Sequence, residues 1–316
     1  MYILFRKELS DHLHSVRFEI LFLLLAVVSF LSLYGAIQTI GEAAQQTSDG
    51  QTALSEYLFL LLFTTSGSSI YSFSTFLGFL GPIIGIMLGF DAVNEEQAQG
   101  TLNRLAAQPI YRDTIINAKF LAGAAAVCIT VFSIGGLMSA VGLISTGLVP
   151  TAEQTARLII FLALGVVYIC MWMAVAEFFS VVCRHAATAA LACIAIWLFL
   201  TMFQSLVASG IAGMIYPTSG MGAQMNVLKN YQLQTSLCRI SPYYLFSEIT
   251  SIVMNPNVHS TNLVSIMQSQ EGAIASYLTL GQSLLQIWPH IVAMIALTVA
   301  AFAAGYIAFM RKEIRA

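Results

Sequence analysis

The sequence predicts an all-α polytopic membrane protein, and three observations carry that prediction. Only 9% of its 316 residues are charged and 58% are hydrophobic, with a mean hydropathy of +0.81. A soluble domain is about 25% charged. Asp, Glu, Lys and Arg are absent from 57–90, 120–152, 185–228 and 272–310. Each gap exceeds the roughly 20 apolar residues that cross a bilayer as a helix. The net charge of −2 supplies no basic footprint for nucleic acid. A soluble enzyme and a disordered chain are excluded on the same grounds.

The elements follow in order. Segment 1–17 sets Tyr2, Phe5, Leu9, Leu13 and Val16 on one helical face, and Arg6, Lys7, Glu8, Ser10, Asp11 and His14 on the other. That is an amphipathic helix suited to a membrane surface. It serves either to position the first span or to grip a partner. Residues 1–17 hold no apolar core and no small-residue cleavage site, so no removable leader is expected. Spans are predicted at 20–40, 70–90, 118–143, 158–182, 187–209 and 287–310. The apolar run 57–65 is too short to cross and is cut off by Ser66-Gly67-Ser68-Ser69, so it reads as interfacial or re-entrant. Two segments stand outside the membrane, a loop at 91–118 and a longer stretch at 210–286.

Six spans put both termini on one side. Ten of the 13 Lys and Arg fall on that side, leaving Arg157, Lys229 and Arg239 opposite. By the positive-inside rule both termini are expected in the cytoplasm, with the chain in the cell membrane. The loop 41–69 carries Glu42, Asp49 and Glu56 but no basic residue, as an outer loop should. The five cysteines lie mostly within apolar runs and form no disulfide framework.

The loop 91–118 and the start of the third span concentrate the chain's charge. Seven of the 28 charged residues fall within 91–120: Asp91, Glu95, Glu96, Arg104, Arg112, Asp113 and Lys119. Gly100 can end a helical extension of the second span, and Thr101 can cap a short transverse helix at 102–107 that includes Leu102. Pro109 stops continuation, and Asp113 can cap the helix leading into the third span. The result is a rigid projection that meets either water alone or a protein partner.

At this loop the chain resembles the permease subunits of type-two ATP-binding-cassette exporters. The resemblance rests on Glu95-Glu96-x-x-x-Gly100-Thr101-Leu102, then Pro109-x-x-Arg112 and Lys119. Supporting motifs are Phe5-Arg6-Lys7-Glu8-Leu9 with Arg17-Phe18, and Ser241-Pro242-Tyr243-Tyr244-Leu245-Phe246. The layout is similar to the NosY-like subgroup, which has six spans and a separate ATPase. The resemblance implies two permease copies, identical or similar, above two ATPase subunits. It makes Glu95, Glu96, Gly100, Thr101, Leu102, Arg104, Pro109 and Arg112 the coupling residues, and segment 1–17 an elbow helix. ATP and Mg are then expected on the partner chain, with no cofactor in this one. The chain's own residues agree, because none of its four lysines follows a glycine and a phosphate-binding P-loop needs that pair.

Within the spans, Gly81, Gly85 and Gly89 recur every fourth residue in the second span. Such stripes let helices approach closely in lipid; the stripe serves either packing within the subunit or a sliding face. Pro82 beside it is expected to kink the helix. Glu177 lies near the end of the fourth span, as a packing or gating carboxylate or as a proton-coupling site. Phe76, Phe79, Trp197 and Phe203 are candidates for lining a path, and His290 beside Trp288 reads as an interfacial anchor. In 210–286, Ser241 can cap a helix with Pro242 in its first turn, ended by Asn255-Pro256, and a second amphipathic piece follows at 262–270. These pieces form either a cap over the outer mouth or an insert packed on the spans.

No catalytic or metal-binding pattern is present: His-Glu-x-x-His and Gly-x-Ser-x-Gly are both missing, and the five histidines are scattered. The expected function is therefore transport of an unidentified substrate by alternating access, driven by a separate ATPase. The alternatives are a secondary transporter or channel that needs no ATP, or a membrane anchor for a cytoplasmic complex.

Overall fold

The computed structural model describes residues 1–46, 57–67, 70–98, 100, 111–218, 223–256 and 278–311, and every regular element among them is helical. In chain order these are α1 (Tyr2–Leu13), α2 (Val16–Gln46), α3 (Leu58–Thr64), α4 (Phe73–Gly89), α5 (Asn94–Ala98), α6 (Arg112–Thr146) and α7 (Ala152–Val182). Then come α8 (Ala186–Leu198), a π-helical turn (Phe199–Phe203), α9 (Gln204–Ile215), α10 (Ala223–Cys238), α11 (Pro242–Met254) and α12 (Leu280–Arg311). Among the described residues six helices are long and apolar enough to cross a membrane: α2, α4 with α5, α6, α7, α8 to α9, and α12. These match the six spans read from hydropathy.

Helix ends differ from expectation in instructive ways. The third span starts at Arg112, not near 118, and its N-cap is Tyr111. Asp113 does not cap it. Its Oδ1 accepts from the Thr114 amide at 2.8 Å within the first turn, where a carboxylate complements the helix dipole. The fourth span opens with a capping box between Thr151 and Gln154. The third closes on Gly147, at φ +69°, the left-handed conformation glycine adopts without a Cβ clash.

The fourth span is the axis of the bundle, with α4, α6, α11 and α12 packed on it. In lipid, apolar side chains gain nothing by leaving the solvent, so close van der Waals fit must hold helices together. The glycine stripe supplies that fit along α4 and α7. A Cβ built on Gly81 would lie 3.0 Å from the Ile169 side chain. One on Gly89 would lie 2.6 Å from the Met173 carbonyl oxygen, and one on Gly85 would overlap the Ile169 carbonyl oxygen. The stripe thus faces a helix of the same subunit.

Pro82 sits inside the unbroken α4. Its missing N–H orphans the carbonyl of Gly78, four residues back. The Tyr168 hydroxyl of α7 donates to that carbonyl at 2.9 Å. The π turn of the fifth span is served in the same way, since Ser241 Oγ donates to the Leu200 carbonyl at 2.6 Å. Ser241 is the N-cap of α11, but its side chain makes no cap bond and is spent on the fifth span instead.

At the end of the bundle away from the termini, rings interlock from α3 to α11. Phe63 meets Phe73 at 6.0 Å, Phe73 meets Phe161 at 6.2 Å, and Phe246 stacks on Tyr168 at 4.6 Å. The short apolar run is therefore a buried helix, α3. Helix α10 folds back on α9, with Gln204 Nε2 donating to the Leu237 carbonyl at 2.9 Å. Arg157 of α7, fully buried, ties α11 to the sixth span. It donates to the carbonyls of Val253 at 2.9 Å and Leu278 at 2.6 Å, to Ser283 Oγ at 3.2 Å, and to Glu153. The sequence stretch 262–270 lies outside the described residues.

A methyl group at the seam tests this packing. Gly85→Ala should lower stability in detergent by about 1–3 kcal/mol through overpacking. Gly136→Ala, where a Cβ meets nothing within 4 Å, should leave the unfolding midpoint unchanged.

Candidate functional site at the termini-bearing end

Charged side chains converge at the end of the bundle that carries α1 and the start of α6. Helix α1 lies across the start of α6. Lys119 of α6, 8% exposed, donates to Glu8 of α1 at 3.0 Å and pairs with Glu96 of α5 at 2.9 Å. Lys7 adds a contact to Glu8 at 3.1 Å. One ammonium therefore joins three chain segments. Nearby, Arg17 pairs with Asp91, and its guanidinium lies 5.9 Å from the centre of the Phe90 ring. The exposed Lys7–Asp11 pair at 3.4 Å adds little.

This arrangement reverses one expectation. The sequence set Glu8 on the polar, outward face of α1, yet Glu8 is the helix's buried residue, while Tyr2 and Val16 of the apolar face are exposed. Leu9 and Leu13 pack on the core. Burial alone would raise the Glu8 pKa, but the ammoniums of Lys119 and Lys7 outweigh it and hold the carboxylate below its ordinary value. Burial also pushes the His12 imidazole below its usual range.

The stem of the 91–118 loop is built into the bundle. Ser180 Oγ of α7 accepts from the backbone amides of Val93 at 3.0 Å and Asn94 at 3.2 Å. A side chain from another helix thus takes the place of a local N-cap for α5. Val93 packs with Ile116, Val181 and Phe309 from three spans. Glu95 is exposed at the start of α5. Gly100 follows at φ +68°, a left-handed position that stops the helix. Arg112 starts α6. Thr101, Leu102, Arg104 and Pro109, with the expected transverse helix at 102–107, lie outside the described residues. A cavity of about 690 Å³ opens beside the stem, lined by Lys7, Asp11, Arg17, Asp91, Glu95 and neighbours.

The remaining candidates do not gather at one site. Phe79 meets Trp197 edge-on at 5.0 Å, joining the second and fifth spans. Phe76 instead touches Tyr71 at 6.3 Å, and Phe203 is exposed in the π turn. Gly81, Gly85 and Gly89 lie along the seam; Gly89 abuts the backbone of Glu177. Glu177 is buried, and neither carboxylate oxygen has a hydrogen-bond partner among the described residues. A cavity of about 20 Å³ lies among Glu8, Lys119 and Glu177, large enough for one water. His290, read from the sequence as an interfacial anchor, is instead buried and contacts the buried Glu248 at 2.8 Å, and Arg239 donates to the same carboxylate at 2.9 Å.

Sequence reasoning missed the Glu8–Lys119–Glu96 cluster, the Ser180 cap, and the roles of Arg157 and Glu248. A signal existed for Lys119, the one ammonium inside an otherwise uncharged run at a span's edge. No group of three or more His, Cys, Asp or Glu suited to a metal ion occurs among the described residues.

Removing Lys119 leaves two carboxylates without their shared cation. Lys119→Met should therefore destabilise the protein by about 3–5 kcal/mol, and Glu8→Gln in the same chain should restore part of the loss. The pH dependence has a definite sign. Because the Glu8 pKa is lowered in the folded state, its contribution is present above the unfolded glutamate pKa and disappears as pH falls through the lowered value. Thermal midpoints across an acid series should show a drop that Glu8→Gln reduces.

The chain is a multi-pass protein whose charged end, built on the loop stem, is its best-organised polar site. Comparison with curated proteins gives no match. The profile of the family described as ABC-2 family transporter protein matches residues 2–314, nearly the whole length. The chain belongs to the ABC-2 family of transporter proteins.

Proposed function

We propose that this chain is the permease subunit of an exporter driven by a separate ATPase, which seats on the 91–118 loop. Family membership supports the permease role, since ABC-2 membrane subunits are generally not catalytic themselves and typically pair with an ATPase. The observation that carries the coupling site is the loop stem. Ser180 caps α5 from the fourth span, and Lys119 clamps Glu96 to α1 and α6. A push on a loop held this way moves three helices together instead of bending the loop. Glu95, Glu96, Gly100, Thr101, Leu102, Arg104, Pro109 and Arg112 form the coupling set in this reading.

The partner carries ATP and Mg, because this chain has no glycine-lysine pair for a P-loop. The termini-bearing end faces the cytoplasm of the cell, where ATP is. Two copies flank the path, in a NosY-like layout with two ATPase subunits. Much of the fifth span faces away from its own bundle, with Leu191, Phe199, Met202 and Leu206 exposed; that surface suits lipid or a second copy. ATP-driven closure of the ATPase pair favours one state of the spans because ATP binds that state more tightly.

The test is purification with the chain's native partners, followed by ATP-dependent transport. An ATPase should co-purify, and Gly100→Pro should abolish coupling by removing the left-handed turn while leaving the subunit folded. Absence of an ATPase, with transport intact in Gly100→Pro, contradicts the reading. The buried carboxylate of Glu177 favours the competing, proton-coupled reading. Glu177→Gln should leave ATP-driven transport within about twofold if the carboxylate only packs, an effect below 1 kcal/mol. Loss of transport together with its pH dependence favours proton coupling instead.

A further inference from the structure

The end of the bundle away from the termini holds a second cavity, of about 380 Å³, between α3, the start of α4 and one face of α11. That volume lies within the range of small-ligand pockets, about 300–1,000 Å³. Among the described residues its lining has no Asp, Glu, Lys, Arg or His and is dominated by hydroxyls. An ionised ligand would lose its hydration there without gaining a counter-charge from the described lining.

The hydroxyls are arranged to accept. Ser247 donates to the Tyr244 carbonyl at 2.8 Å, Thr250 to Phe246 at 2.8 Å, and Ser251 to Glu248 at 2.9 Å. Thr64 on α3 donates likewise to Leu60 at 3.3 Å. A hydroxyl has one hydrogen and two lone pairs. With the hydrogen committed to the helix's own backbone, the oxygen offers lone pairs to the cavity. Ser72 and Thr75, whose oxygens lie 2.9 Å apart, add to the rim at the start of α4.

The aromatic floor is held in place. Tyr243 and Phe246 lie against Gly78, where a Cβ would come within 3.1 Å of the Tyr243 ring. Phe246 is stacked on Tyr168 with the two rings 8° from parallel, and Tyr168 is itself bonded to Gly78. Tyr243, Ser247, Thr250 and Ser251 recur at helical spacing, so one face of α11 presents a ring followed by three acceptor oxygens. A fitting ligand is neutral, carries several hydroxyl donors on its edge, and has an apolar C–H face to lie on an aromatic ring.

We infer that this cavity binds the ring of a neutral hexose, either free or as the headgroup of a glycolipid. The site needs neither ATP nor a partner. Its failure would leave the permease reading standing, and loss of ATPase coupling would leave this site standing.

The experiment is native mass spectrometry of the purified chain in a polyoxyethylene detergent, since a maltoside would itself present sugar. Monoglucosyl diacylglycerol, diacylglycerol and phosphatidylglycerol are added at equal concentration. The glucosylated lipid should be retained on the order of tenfold better than diacylglycerol, the worth of one or two net hydrogen bonds. Ser247→Phe, which fills the cavity, should remove that preference while phosphatidylglycerol binding persists. If Ser247→Phe does not fold, Thr250→Val combined with Ser251→Ala provides the same reading. Competition by methyl-β-glucoside would show that the free sugar suffices, and its absence would show that the lipid tether is needed. Equal retention of the three lipids, or a preference unchanged in the folded variants, overturns the inference.

Discussion

The close approach of the second and fourth spans is the interaction on which the rest of the structure depends. Gly81, Gly85 and Gly89 let the backbone of α4 reach that of α7, where added Cβ atoms would overlap carbonyl oxygens and side chains. Both polar ends of the protein hang from this seam. At one end Gly89 abuts Glu177, one turn from Ser180, which caps the loop stem. At the other, Gly78 receives the Tyr168 hydroxyl and supports the aromatic floor beneath α11. Displacing α4 along α7 would disturb both.

A second constraint explains which side chains cross between helices. Inside a bilayer no water satisfies a broken backbone, so each break needs a donor or acceptor from elsewhere in the protein. Pro82 frees a carbonyl, and Tyr168 takes it. The π turn receives Ser241. The last turn of α11 leaves unpaired carbonyls, and Arg157 reaches Val253 while also holding Leu278 ahead of the sixth span. Lys119 performs the equivalent task for charge, pairing with carboxylates from two other segments. A polar side chain buried in this bundle serves a partner on another element more often than one on its own.

That pattern also explains what could be read from the sequence. The six spans were legible because hydropathy depends on composition within a window, and the glycine spacing and the Pro242 start of α11 are likewise local signals. The partners of Glu8, Arg157 and Glu248 were not legible. Each lies many residues away, and periodicity assigns a face without saying what covers it. Glu8 shows the limit most clearly: helical spacing put it on a polar face, and the polar face turned out to meet Lys119. Asp113 and Ser241 erred in the opposite direction. Both sit near a helix start with the right residue type, but Asp113 lies two residues past the N-cap Tyr111, within the first turn, and Ser241 bonds to another span. Thr101, Leu102, Arg104 and Pro109, proposed for coupling, lie outside the described residues, so their assignment rests on the resemblance.

In the proposed function, force from an ATPase enters through the loop stem and reaches the seam. Site-directed cysteine cross-linking to the co-purified ATPase tests it most directly, using Gln97→Cys and Ala98→Cys on the exposed face of α5 and Ser247→Cys at the opposite end as the control. Cross-links are expected from residues 97 and 98, with a yield that changes on adding ATP, and none from 247. Cross-links that ignore the stem, or that ATP leaves unchanged, would contradict it.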